Sequence, residues 1–237
     1  RYNLAVQRVK KAIEQNELGE IRTIGVRVRW CRPQRYYDMA PWRGTLSHDG
    51  GALTNQGIHH VDLLRYLGGE VHKVNSTMRT LGANIEAEDT VVSTFAYKNN
   101  AVGSLEVTTS ARPDDFEASL SIVGSKGLAQ VGGIAVNELQ IFSPDPEECE
   151  KNSEDFSGCI YGEGHEVLYE DIYNSINNNL DYLVSKDDCL KSIKLLHAFY
   201  LSDELTDWQI VDQDKESIRL GRENNEVSNL YRTPMEK

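Results

Sequence analysis

The 237-residue chain carries 25 Lys and Arg against 37 Asp and Glu, a formal charge of −12. That balance repels a phosphate backbone over most of the surface and excludes general nucleic-acid binding. Hydrophobic residues make up 39% and charged residues 26%, the proportions of a soluble globular protein, and no apolar run approaches the roughly 20 residues of a membrane span.

The opening, RYNLAVQRVKKAIEQNELG, places Leu4 or Ala5, Val6, Val9, Ala12 and Ile13 at helical spacing, with Gly19 as a stop. Because residue 1 is Arg and the helix begins at once, the chain reads as a piece of a longer polypeptide. TIGVRVRWCR then alternates Ile24, Val26, Val28 and Trp30 against Gly25, Arg27, Arg29 and Cys31, a half-buried strand. Its basic end, RVRWCRPQR, reads either as an anion-holding turn or as a solvated strand face. A polar, aromatic loop follows from Pro33 to His48.

Between Val71 and Phe142, six β-like segments are divided by turns such as KNN (98–100) and GSKG (124–127). Short links favour antiparallel pairing, and the alternation favours a single covered face. GHEVLYEDIYNSINNNL and DCLKSIKLLHAFYLSDEL are later helices. The predicted fold is α+β: a broad, mostly antiparallel, open-faced β-sheet with helices packed on one face. Residues 1–211 form this domain, 143–157 an exposed acidic loop, and 212–237 an extended tail. Cys31, Cys149, Cys159 and Cys189 form no C-x-x-C pair and read as reduced thiols of a cytoplasmic protein.

DGGALTNQGIHHVDLLRYLGG, from Asp49 to Gly69, is the unusual stretch. On a helix over residues 52–67, at about 100° per residue, Leu53, His60, Val61, Leu64 and Leu67 form a packing stripe. Asn55, His59, Asp62 and Tyr66 fall nearly opposite, a polar face without Lys or Glu and rich in directed hydrogen-bonding groups. Gly50 and Gly51 permit a sharp turn and close approach, and free N–H groups at the helix start favour a negative group nearby. His59 has the chemistry of a general base, with Asn55 one turn earlier to fix a hydroxyl. His60 belongs to packing. Adjacent histidines point about 100° apart and do not share a metal ion easily, so no metal is expected.

This stretch resembles the active-site helix of the glucose–fructose oxidoreductase / inositol dehydrogenase / rhizopine-catabolism family, whose pattern reads approximately G-G-G-x-L-x-[DN]-x-x-x-H-x-x-D. The opening helix, GSKGLAQVGG, YGEGHEVLYEDIYNSI and LKSIKLLHAFYLSDE extend the likeness from Arg1 to about Leu205. The resemblance implies the C-terminal substrate and oligomerisation domain of an enzyme using NAD or NADP. The cofactor would be bound by an N-terminal Rossmann domain, since no G-x-G-x-x-G occurs here. This fragment alone would then be inactive. The resemblance makes His59 the base that deprotonates a sugar or nucleotide-sugar hydroxyl, with Asn55 orienting the sugar and Asp62 shaping the helix. It also implies a homo-oligomer, dimer or tetramer, assembled through the sheet.

Arg32, Arg35, Tyr36, Tyr37, Trp42 and Arg43 precede the glycines and are expected to border the same pocket, with Tyr161 and His165 on a later turn. Their rings suit stacking and their guanidinium groups suit phosphate or carboxylate, as on a UDP-linked sugar; packing beneath a long loop is the plain alternative. A non-catalytic module, for oligomerisation or carbohydrate binding, is the competing reading of the whole chain.

Overall fold

The alternating apolar positions of residues 21–29 and 71–142 build a single sheet in the computed structural model, which describes residues 1–157, 162, 164–211 and 215–231. The chain runs α1 (Leu4–Glu14), β1 (Ile21–Arg29), α2 (Gln34–Tyr37), α3 (Gly51–Asn55), α4 (Ile58–Gly68), β2 (Val71–Arg79) and β3 (Thr90–Tyr97). It continues with β4 (Val102–Thr108), β5 (Glu117–Gly124), β6 (Leu128–Gly132), β7 (Glu138–Phe142) and α5 (Glu148–Lys151). Then come α6 (Gly164–Asn178), α7 (Lys186–Leu205), β8 (Gln209–Ile210) and α8 (Asn225–Tyr231).

The sheet has eight strands in the order β7-β6-β5-β1-β4-β3-β2-β8. Neighbours pair antiparallel, as the short links require, with one exception: β1 and β4 are parallel, with Val26 beside Leu105. These two strands are separated in sequence by α2–α4, β2 and β3, and that excursion returns the chain in its original direction.

One face is covered. Ile24, Val26 and Val28 of β1, Val91 and Phe95 of β3, Leu105 and Val107 of β4, and Leu120 and Ile122 of β5 are all buried. Helix α1 lies over β6 and β7, α4 over β1, α3 over β3 and β4, and α7 over β2 and β8. Alternate residues, including Val92, Val102 and Val123, are exposed on the other face. This is the open-faced α+β sheet that the alternation predicts.

Three segments differ from their sequence patterns. The helix expected over 52–67 is two helices, because the turn at Gln56 and Gly57 separates α3 from α4. The loop at 143–157 contains the short helix α5. The tail is anchored rather than simply extended. Arg219 pairs with Asp203 at 2.8 Å and Glu204 at 3.2 Å, the Gly221 N–H donates to Leu46 at 2.9 Å, and α8 follows. Aperiodic sequence hides such anchoring, which uses charge and backbone instead of an apolar stripe.

Leu105 is fully buried between β1 and β3. Leu105→Ala is expected to lower unfolding free energy by about 2–5 kcal/mol, read from chemical denaturation of the full chain.

Candidate active site

The paired glycines answer to a buried carboxyl. Gly50 and Gly51 have φ of 79° and 84°, in the left-handed region open to glycine. A Cβ on Gly51 would collide with the Glu88 side chain. Glu88 Oε1 accepts the Leu53 N–H at 3.0 Å and lies 2.8 Å from the Tyr200 hydroxyl, while the Glu88 carbonyl accepts the Ala52 N–H at 2.9 Å. The N–H groups at this helix start are thus met by oxygen acceptors of the chain itself. Burial pushes Glu88 up to about 7 despite these hydrogen bonds. Neither Glu88 nor Tyr200 carries a sequence signal that singles it out.

Beyond Gly57, the first turn of α4 turns its two histidines to different surroundings. His60 is buried edge-on to the Trp30 ring, with centroids 6.1 Å apart, and burial lowers its pKa to about 3. Among the described residues both its ring nitrogens lack partners, so it serves as a neutral packing ring. His59 opens into a cavity of about 450 Å³. Ile58 and Asp62 of α4, Gly164, His165 and Leu168 of α6, and Cys189 and Ser192 of α7 contribute to its wall. Solvent reaches the His59 ring through the mouth of the cavity, yet surrounding groups crowd it. That partial desolvation lowers its pKa below the ordinary imidazole value, and the Asp62 charge opposes the shift.

Asp62 is held in place rather than offered to a ligand. Its carboxylate accepts from Arg1 Nε and Nη2, both at 2.7 Å, and from Ser192 Oγ at 2.8 Å. Burial works against its charge, but these partners keep it below the usual carboxylate range. Arg1 also pairs with Asp188 at 2.9 Å, and Asp188 with Arg65 at 2.6 Å. The resulting ion-pair chain ties the segment before α1 to α4 and α7 behind the cavity. Long-range pairs of this kind have no local pattern in sequence.

The other expected site residues lie elsewhere. Asn55 closes α3 outside the cavity wall and donates its amide to Asp49, whose other oxygen accepts the Gly44 N–H at 2.6 Å. The cavity wall also contains none of Arg32, Arg35, Tyr36, Tyr37, Trp42 and Arg43, contrary to the expectation that they border the same pocket. The helix break and the extended course of β1 carry that loop to a second depression, lined by Arg32, Arg35, Tyr36 and Met39 among others. Arg32 pairs with Asp115 at 2.9 Å, and Arg35 is exposed. Tyr37 is buried, its hydroxyl 2.9 Å from Thr109 Oγ1, which makes it a packing residue. The Arg43 guanidinium lies 4.2 Å from the Tyr36 ring centroid and 4.6 Å from that of Trp42, and its buried Nε has no hydrogen-bond partner among the described residues. Gln56 links the two regions by donating to the Tyr36 hydroxyl at 3.3 Å. His165 does share the cavity with His59, and Tyr161 lies outside the described residues.

Comparison with known proteins gives the family of the chain. The family model of the GFO/IDH/MocA C-terminal domain matches residues 6–130. The WlbA dehydrogenase from Bordetella pertussis, solved in complex with NADH and UDP-GlcNAcA, is 38% identical with a TM-score of 0.84, over 90% of this chain and 62% of its own. A levoglucosan dehydrogenase solved with NADH shares the fold at 24% identity and a TM-score of 0.76, over 89% of this chain and 63% of its own. The levoglucosan dehydrogenase of Pseudarthrobacter phenanthrenivorans is 28% identical over 189 residues, 68% of this chain and 48% of that protein. The chain therefore spans about half the length of that curated relative. With the family model covering more than half of its residues, the chain belongs to the GFO/IDH/MocA oxidoreductase family, whose C-terminal domain it carries.

Proposed function

We propose that this chain is the substrate-binding domain of an NAD(P)-dependent oxidoreductase that moves a hydride from a sugar or nucleotide-sugar hydroxyl to nicotinamide, with His59 as general base. The observation that carries the reading is an imidazole of lowered pKa, unprotonated at neutral pH, facing a cavity of ligand size. Support also comes from the likeness to WlbA, which was solved with NADH and a UDP-sugar. In this reading the substrate hydroxyl approaches His59, which takes its proton and leaves the electron pair on oxygen to build the carbonyl. His165 faces the same cavity from α6 and contacts the substrate.

NAD or NADP is assigned to a separate dinucleotide-binding domain, as the likeness to the family's C-terminal domain implies, and the chain by itself is expected to be inactive.

Arg43, clasped by Tyr36 and Trp42 and without an acidic partner among the described residues, is the cation best placed to receive the anionic part of a nucleotide sugar. Arg32, Arg35 and Tyr161 are assigned supporting contacts. The open sheet face, with Val92, Val102 and Val123 exposed, is the proposed surface for a homo-oligomer in the cytoplasm. Among the described residues, no helix is long and apolar enough to cross a membrane.

In the intact enzyme, His59→Ala is expected to cut turnover by about 10²–10⁴ with an unchanged melting temperature; near-normal turnover would remove His59 from the mechanism. The lowered imidazole pKa places the acid limb of the kcat/KM profile below the ordinary value of about 6.5, with a plateau above it. Asp62→Asn removes a charge that raises this pKa and is expected to move it lower still, as NMR titration of the His59 ring would record. Arg43→Ala is expected to weaken UDP-sugar binding by about tenfold, or about 1.4 kcal/mol, in calorimetry of the intact enzyme.

A further inference from the structure

A proton inventory around Tyr200 leads beyond the cavity. The Tyr200 hydroxyl carries one hydrogen, yet it contacts two groups that are acceptors when Glu88 is ionised: the Gly50 carbonyl and Glu88 Oε1. Thr54 Oγ1, 2.9 Å away, can give its own hydrogen to Tyr200 but cannot satisfy both acceptors. An ionised Glu88 would thus leave two oxygens competing for one hydrogen in a buried place. A proton on Glu88 removes the conflict. The acid O–H donates to Tyr200 Oη, Tyr200 donates to Gly50, and Glu88 still accepts the Leu53 N–H.

We infer that Glu88 is a positioning residue that works as an uncharged carboxylic acid, whose relay through Tyr200 fixes the Gly50–Thr54 turn and, through it, the orientation of His59. The turn has little other freedom, since Gly51 is already pressed against this carboxyl and α3 leads within one turn into α4.

The charges around Glu88 leave this state in place. Helix α3 brings no titratable group. From α7 come Tyr200 and, a turn later, Asp203 and Glu204, both engaged by Arg219. Arg219, from the tail, is the one cation that favours ionisation, and its guanidinium lies 5.9 Å from the Tyr200 ring centroid. Asp89, next in sequence, is occupied by the N–H groups of Leu81, Gly82 and Ala83. Asp49 is occupied by Gly44 and Asn55. Burial raises Glu88 from 4.5 to about 7, in agreement with a retained proton. The folded chain then holds a proton that the unfolded chain releases near pH 4.5. Its contribution to stability is complete below that pH, fades as pH rises through about 7, and stays lost above.

The inference rests on the His59 reading only for its bearing on turnover, so its test uses the full chain and no activity measurement. Glu88→Gln removes the titratable proton at nearly unchanged size, although an amide cannot both donate to Tyr200 and accept from Leu53 at the one position Oε1 occupies. Infrared difference spectra of wild type minus Glu88→Gln at pH 6 are expected to show the C=O stretch of a protonated carboxyl. The fall in melting temperature between pH 5 and pH 8 is expected to be roughly 5–10 °C smaller in Glu88→Gln. The His59 ring resonances are expected to move less in Glu88→Gln, which keeps one of the two contacts, than in Glu88→Ala, which keeps neither. A difference spectrum with only carboxylate bands, an equal pH slope in the two proteins, or His59 resonances displaced as far in Glu88→Gln as in Glu88→Ala would each overturn it. Because Glu88→Gln is nearly isosteric, the first two readings do not depend on whether Glu88→Ala folds.

Discussion

The close approach of the Glu88 carboxyl to the backbone of Gly51 governs the path of the chain through the candidate site. A side chain at residue 51 would occupy the same space, so two successive left-handed residues carry the chain past the carboxyl and into α3. Leu53 and Ala52 then direct their N–H groups at Glu88 rather than at a ligand. Gly57 interrupts the helix, with room for nothing larger beside the Leu53 carbonyl, and α4 starts again at Ile58. Glu88, two residues before β3, thus fixes where the chain enters α3 and, beyond it, α4.

Helix α4 separates two environments of different character. On one side lies the cavity, backed by the Arg1–Asp62–Arg65–Asp188 ion pairs and closed by α6 and α7. On the other, His60 and Trp30 form a packed seam leading to the Arg32–Tyr36–Arg43–Trp42 stack. In an acidic protein such positive charge is local, and the aromatic rings hold the Arg43 guanidinium in place without neutralising it. The two regions are chemically distinct.

The sheet was legible because a half-covered strand writes its orientation into alternate residues, as β1 does with Ile24, Val26 and Val28 against Arg27 and Arg29. His59 and His60 were separable for a related reason: neighbours on a helix face different sides. Helical periodicity also misled, because a regular spiral through Gln56 and Gly57 sets Asn55 in line with His59, whereas the break gives Asn55 to Asp49. Glu88, Tyr200, Arg1 and Asp188 were illegible since each acts on residues remote in the chain, and a lone buried acid looks like any surface acid in sequence. The parallel pairing of β1 with β4 was hidden in the same way, being a property of the whole excursion and of neither strand.

That pairing bears on how the molecule acquires its structure. Antiparallel neighbours such as β2 and β3 can zip from a nearby bend, but pairing β1 with β4 closes a loop that contains α3, α4, β2 and β3. Contacts that close such long loops are characteristic of slow steps in folding. The segment bearing His59 lies within that loop, so its final surroundings belong to the slow part of assembly.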